Sequence, residues 1–254
     1  MVRGTDKGHD HTPTKPGTER PVDKIYDGQK FPYLRPRDAA TLILVRQHGE
    51  VPEVLLGCRD AKHAFMPNRY VFPGGRVDKP DAYVPIATPF DRHVKARLLK
   101  AATAQRAQAL GVAAVRETFE ETGLMLAKPL KNGAPRQDYG EHWKGFLDKG
   151  MAPALDCLDL IARAVTPPGR PRRFNARFFM ARAEDATGDI RHSSELGDIR
   201  WVRLDEAREL PLPTITRLIL GEIGRLVKEP PDATKQRKIP LFVTVHRKHL
   251  MIEE

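Results

Sequence analysis

Cysteine is almost missing from these 254 residues, with only Cys58 and Cys157 present, far apart and without companion ligand residues. That scarcity excludes a disulfide framework and a cysteine-based zinc site, and it leaves two buried, inert thiols as the expectation. Long apolar runs are missing too. No stretch approaches the roughly 18 apolar residues of a membrane span, so no membrane partner is expected. The first residues, MVRGTDKGHD, carry neither an apolar signal core nor an Arg-rich amphipathic pattern, and MIEE at the other end is no address tag, so a cytoplasmic location is expected. Internal repeats are absent, which excludes a solenoid. An acidic excess is absent as well: the net charge is +10, and this favours a polyanionic partner such as phosphate, nucleotide or nucleic acid. Charge alone does not choose among them.

What is there falls into three parts. Residues 1–36 are rich in Lys, Arg, Asp, Gly, Pro and Thr with almost no apolar periodicity, so they read as a flexible basic arm. Its mixture of both signs in HDHTPTKPGTERP favours a solvated tail over a grip on nucleic acid. Residues 37–228 read as the main domain. AATLILVRQ and PEVLLGCRD form a hairpin across HGEVP, and YVFPGGRVD is a short strand ending in Pro-Gly-Gly. Residues 82–108 begin as a loop and turn helical near Asp91, with Val94, Leu98, Ala101 and Ala102 at helical spacing. A second helix follows in QALGVAAVRETFEETG, then a loop, then FLDKGMAPALDCLDLIARAV, which reads as mostly helical. RRFNARFFMAR and GDIRWVRLD read as strands. TITRLILGEIGRLV reads as an amphipathic helix capped by Thr214, with Ile215, Leu218, Ile219, Ile223 and Leu226 on its apolar side. Residues 229–254 form a tail in which IPLFVTVHRKHL has the alternation of an edge strand. The order implies an α+β fold with α/β/α layering.

One short stretch, RETFEETGL at residues 116–124, works against its own local stability. With Glu117 set at 0° on a helical wheel, Glu121 falls near 40° and Glu120 near 300°, whereas Val112, Val115 and Phe119 lie between about 160° and 220°. Each like-charge pair at i,i+3 or i,i+4 costs roughly 0.2–0.5 kcal/mol. The negative end of the helix dipole adds about 0.3–1 kcal/mol per charge. A hard divalent cation reverses that sign, because it takes carboxylate oxygens as ligands. The bland reading, glutamates on a wet helix surface, stands beside this one. Arg116 is placed to orient a carboxylate, and Gly123 supplies a left-handed stop.

RETFEETGL resembles the Arg-Glu-apolar-x-Glu-Glu-x-Gly-apolar half of the Nudix box, with Thr118 standing where an apolar residue is usual. FPGG at Phe72–Gly75 resembles the glycine entry of the same box, and five residues beyond Gly75 comes Asp81, where the family usually has Glu. The resemblance implies a Nudix fold, an α/β/α sandwich with a mixed sheet, and a hydrolase acting on nucleoside diphosphates linked to another group. It implies Mg²⁺ or Mn²⁺ held by Glu120 and Glu121. By the same resemblance Glu117 binds metal or helps deprotonate water, Arg116 pins a glutamate, and the Gly75 carbonyl completes the ligand set.

The box is interrupted: 34 residues separate Asp81 from Arg116. That is about 27 more than usual, an excess that slowly growing loop-closure cost tolerates. This implies a helical insertion within residues 82–108, folded above the site. The interrupted box is similar to that of the branch of the family that includes coenzyme A diphosphatases. In that branch's coenzyme A signature Leu55, Leu56, Arg59 and Phe72–Gly75 fall in register, while Asp60, Ala64 and Asn68 depart from it, with Lys62 or Arg69 near enough to substitute. A nucleotide-type small molecule is therefore the implied substrate, with Arg59, Phe72 and Arg173 as candidate contacts; for Arg59 an ordinary surface cation is an equal reading, and for Arg172 and Arg173 a solvated strand edge is the favoured one. Rival readings are the same chemistry on ADP-ribose, a dinucleotide or capped RNA, and a noncatalytic ligand sensor. Smaller expectations are a surface glutamate at Glu195, favoured over the extra carboxylate that many members of the family take from such a loop, core packing for Trp201, and a basic strand end at His246–His249. Homo-oligomerisation is left open.

Overall fold

The computed structural model describes residues 24–26, 29–31, 34–60, 67–131, 133, 137–232, 235–245 and 248–254. The first 23 residues of the expected arm therefore lie outside the described residues. Within the rest of the arm, β1 (Lys24–Tyr26) and β2 (Gln29–Phe31) pair antiparallel with each other. The main sheet opens with β3 (Arg37–His48), turns at Gly49, whose φ of 70° suits glycine, and returns as β4 (Val51–Cys58). Two short strands follow, β5 (Tyr70–Val71) against β4 and β6 (Gly74–Arg76) against β3. Then come α1 (Arg92–Leu99) and α2 (Ala104–Thr122), the latter capped by the Thr103 hydroxyl and ended by Gly123 at φ 80°. The chain continues through β7 (Ala127–Pro129), α3 (Glu141–Leu147), β8 (Met151–Pro153), β9 (Asp159–Val165) and β10 (Phe174–Arg182). It closes with β11 (Arg200–Arg203), α4 (Thr214–Lys228), β12 (Pro240–Val245) and β13 (Lys248–Glu253).

The sheet order is β11-β4-β3-β10-β9-β12-β13, with β3 parallel to β10 and β9 parallel to β12, the other neighbours on this path being antiparallel. A mixed sheet with both faces covered needs apolar side chains on both sides of its central strands. β3 supplies them by alternation. Ala40, Leu42 and Leu44 join the core beneath α2, while Ile43 joins the core beneath α4 with Val54, Leu56 and Phe178. The two apolar cores on opposite faces make an α/β/α sandwich, in keeping with the expected fold.

Four elements differ from the sequence reading. Residues 148–165 are strands and turns after the short α3: Gly150 takes φ 66°, and β9 is buried on both faces, Leu160 toward α2 and Ile161 and Ala162 toward α4. A doubly buried strand is a continuous apolar run and mimics a buried helix. Thr214 begins α4 and does not cap it; the cap is Pro213, without a side-chain bond. On α4, Leu220 and Thr216 turn inward while Leu218 is exposed. The tail forms a two-strand hairpin on the sheet, with His246 and Arg247 outside the described residues.

The segment after Asp81 does not rise over the acidic end of α2. It docks around the other end, where the Phe90 ring stacks on Phe179 at 5.7 Å and fills the space above Gly111, and a β-carbon there would lie 2.3 Å from it. Thr88 bridges to Ala154, and the buried Arg97 guanidinium reaches Asp159 at 2.5 Å. Gly111 precedes Glu117 by about 9 Å of helix rise.

Candidate functional site

The C-terminal half of α2 lies against β6, so its acidic flank faces a glycine strand and not open water. Gly74 and Gly75 permit that approach. A β-carbon on Gly75 would come within 2.4 Å of the Glu117 carboxylate, and one on Gly74, at φ 155°, would strike Ala40 O. The Gly74 N–H donates to Glu121 Oε2 at 2.8 Å. Glu121 is 3% exposed, and Thr118 is fully buried, its hydroxyl donating back to Ala114 O at 2.8 Å. That internal bond explains how a hydroxyl is tolerated at an apolar position.

Arg116 organises the flank. It is 3% exposed, and it grips Asp81 with two parallel bonds, Nε to Oδ1 at 2.9 Å and Nη2 to Oδ2 at 3.0 Å. Nη2 also donates to Arg76 O at 3.0 Å, and Nη1 reaches Glu117 Oε1 at 3.0 Å and Glu120 Oε2 at 3.3 Å. Burial works against the charged guanidinium, but Asp81 foremost, then Glu117 and Glu120, raise its pKa above the ordinary value. Asp81 is fully buried and accepts the Asp78 N–H at 2.8 Å, which fixes the 3-10 turn at Lys79–Ala82.

The carboxylates are the strained part of this arrangement. Burial pushes Glu117 up to about 7, offset in part by Arg116 and reinforced by Glu120 and Glu195. Burial pushes Glu121 up to about 8, moderated by the Gly74 N–H and by Arg59, and reinforced by Glu117 and Glu195. Glu120 Oε1 is shut off from solvent and makes no hydrogen bond of acceptable angle among the described residues, although His142 Nδ1 stands 2.7 Å from it. Among the described residues no three acidic, imidazole or thiolate groups converge closely enough to ligate an ion as they stand. The donor set nonetheless fits a hard divalent cation: three carboxylates share one flank, two have raised pKa values, and Gly75 backbone lies against them.

Other expected residues separate. Arg59, bridged in backbone to Leu196, lies close enough for its charge to lower the Glu121 pKa, and Glu195 close enough to raise it. Phe72 is 4% exposed and sits in the core under α4, so it packs and does not touch a ligand. Arg173 is 7% exposed and donates to Thr166 O at 3.0 Å and Leu34 O at 2.5 Å, which ties it to backbone away from the carboxylates; Arg172 beside it is exposed. Trp201 packs against the α2-side core with Arg46 over its ring at 4.5 Å. Cys58 and Cys157 are free thiols, half-buried where full burial was expected, and burial raises both, Cys157 to about 11. Lys62 and Ala64 lie outside the described residues. Sequence reasoning missed His142 and gave Asp81 no role; for Asp81 the signal was its place after the glycines.

The family model of the NUDIX domain matches residues 35–220. The chain is 28% identical over 201 residues to nudix hydrolase 7 of Caenorhabditis elegans, covering 72% of this chain and 59% of that protein, so it spans less than two thirds of this curated relative. A crystal structure of a NUDIX hydrolase from Alicyclobacillus acidocaldarius superposes with a TM-score of 0.58 at 29% identity, covering 74% of this chain and 90% of that one.

Proposed function

The chain belongs to the NUDIX family, and from that premise we propose that it hydrolyses the diphosphate linkage of a nucleoside diphosphate derivative. Coenzyme A or an acyl derivative is the leading substrate, giving 3′,5′-ADP and (acyl)phosphopantetheine. The observation that carries the reading is the Arg116 grip on Asp81, which sets Glu117 and Glu120 on one flank of α2 against the glycine strand. Mg²⁺ or Mn²⁺ held by Glu120, Glu121 and the Gly75 carbonyl, with Glu117 as a further ligand or as the base, would neutralise the diphosphate and make water a better nucleophile. The protein's own residues do the rest. Arg116 fixes the carboxylates, Arg59 adds positive charge beside Glu121, and Glu117, where it is not a ligand, takes a proton from the attacking water. That water adds to phosphorus as the oxygen of the other phosphoryl group leaves.

The coenzyme A assignment is supported by the register of Leu55, Leu56, Arg59 and Phe72–Gly75, and by the 34 residues between Asp81 and Arg116, read as a 27-residue insertion. The departures at Asp60, Ala64 and Asn68 favour, as a second reading, the same chemistry on ADP-ribose, a dinucleotide or capped RNA. A noncatalytic sensor has no use for the full glutamate set. Incubation of the full chain and Mg²⁺ with coenzyme A, ADP-ribose, NADH and a capped oligonucleotide, followed by chromatography, tests this. Release of 3′,5′-ADP from coenzyme A is expected. Cation-dependent cleavage of another member of the panel alone would select the second reading, and no cleavage of any would remove the hydrolase.

A further inference from the structure

His142 is brought to the site by packing that has no direct part in ligand chemistry. Gly145 lets α3 settle on α2, since a β-carbon there would meet the Phe119 ring at 2.9 Å. Phe146 meets Phe119 edge-on at 4.8 Å, and Trp143, 1% exposed, lies 5.3 Å from Phe146. On a helix, residue 142 shares a face with 145 and 146. On α2, Glu120 follows Phe119 directly. The contact that seats α3 therefore places the His142 Nδ1 2.7 Å from Glu120 Oε1, the carboxylate oxygen that is shielded from solvent.

We propose that His142 is a positioning residue for Glu120: its Nδ1, 2.7 Å from Oε1, aligns as a donor to that oxygen when a divalent cation takes Oε2, which Arg116 reaches at 3.3 Å. The two neighbours stand at opposite oxygens of one carboxylate, which limits its rotation once the imidazole N–H is aligned. Partners of this kind orient an ion's carboxylate ligands and raise the site's affinity. The inference rests on the reading of Glu120 as a ligand. Because the imidazole is 63% exposed, replacing it leaves the core of α3 intact.

Calorimetric titration of the full chain with Mn²⁺, without nucleotide, reads the effect apart from turnover. His142→Ala should weaken Mn²⁺ binding by about tenfold. It should also lower kcat more than KM on whichever diphosphate the chain hydrolyses, with an unchanged thermal midpoint. His142→Asn, whose amide N–H stands near the Nδ1–H position, should restore both. Unchanged Mn²⁺ affinity in His142→Ala, or an Asn variant no better than Ala, overturns the inference and leaves the function standing. A wild-type chain that takes up no Mn²⁺ removes the ligand reading of the carboxylates and this inference with it.

Discussion

At the scale of residues, Arg116 and Glu120 depend on the same network in different ways. Arg116 is a buried cation whose cost is offset chiefly by Asp81, itself fully buried. Removing Asp81 leaves the guanidinium with its principal partner gone, and breaking a buried pair from one side costs about 3–5 kcal/mol. Asp81→Ala should therefore lower the urea midpoint strongly. Glu120 is 28% exposed and bears less structure, so Glu120→Gln should unfold within about 0.5 kcal/mol of wild type. The same variant should lose nearly all turnover. A Glu120→Gln protein that keeps most of its rate would refute the ligand assignment. Arg116, Glu117, Glu120 and Glu121 were legible in the sequence because like charges at a helix end oppose local stability and call for a reason. The Asp81 contact was not, since its partner lies 35 residues away in the chain, and only the fold brings a buried carboxylate there.

Elements were legible where one face is apolar and the other wet. β3 and β4, apolar on both faces, were found as short β-branched runs on either side of the HGEVP turn, whereas α4 shows that contrast. Residues 151–165 do not, because a strand buried on both sides has no polar face to set its period. The segment between Asp81 and α2 was legible as a helix with Asp91 at its start, but its docking was hidden, since it depends on Phe90 meeting Gly111 and Phe179 from other elements. That docking lies away from the carboxylates and predicts separable effects. Phe90→Ala removes a half-buried ring and should cost about 2 kcal/mol, below the range for a fully buried phenylalanine. Turnover per folded molecule should be unchanged. A large fall in kcat with little change in the denaturation midpoint would show instead that the segment acts on the site.

For the molecule as a whole, the acidic flank and the net charge of +10 respond to pH in opposite directions. Raising the pH removes positive charge and relieves self-repulsion in so basic a chain, which favours the folded state. Glu117 and Glu121 act the other way. Their folded values of about 7 and about 8 stand above the ordinary 4.5, so between these limits the folded state binds more protons than the unfolded one. The stability tied to those protons is fully present below about pH 4.5 and is lost as pH rises through the folded values. In EDTA, the wild-type chain should thus lose several degrees of thermal midpoint between pH 5.5 and 8.5, relative to a Glu117→Gln, Glu121→Gln double variant measured in parallel. The variant shares the net-charge term almost fully and lacks the two titrations, so the difference isolates them. Adding millimolar Mg²⁺ should stabilise the wild type most at the alkaline end, because a cation binds the deprotonated carboxylates and ligand binding adds to folding free energy. A wild-type curve that runs parallel to that of the variant across this window would mean that the two glutamates are ordinary solvated acids, and the burial of the flank against β6 would be wrong.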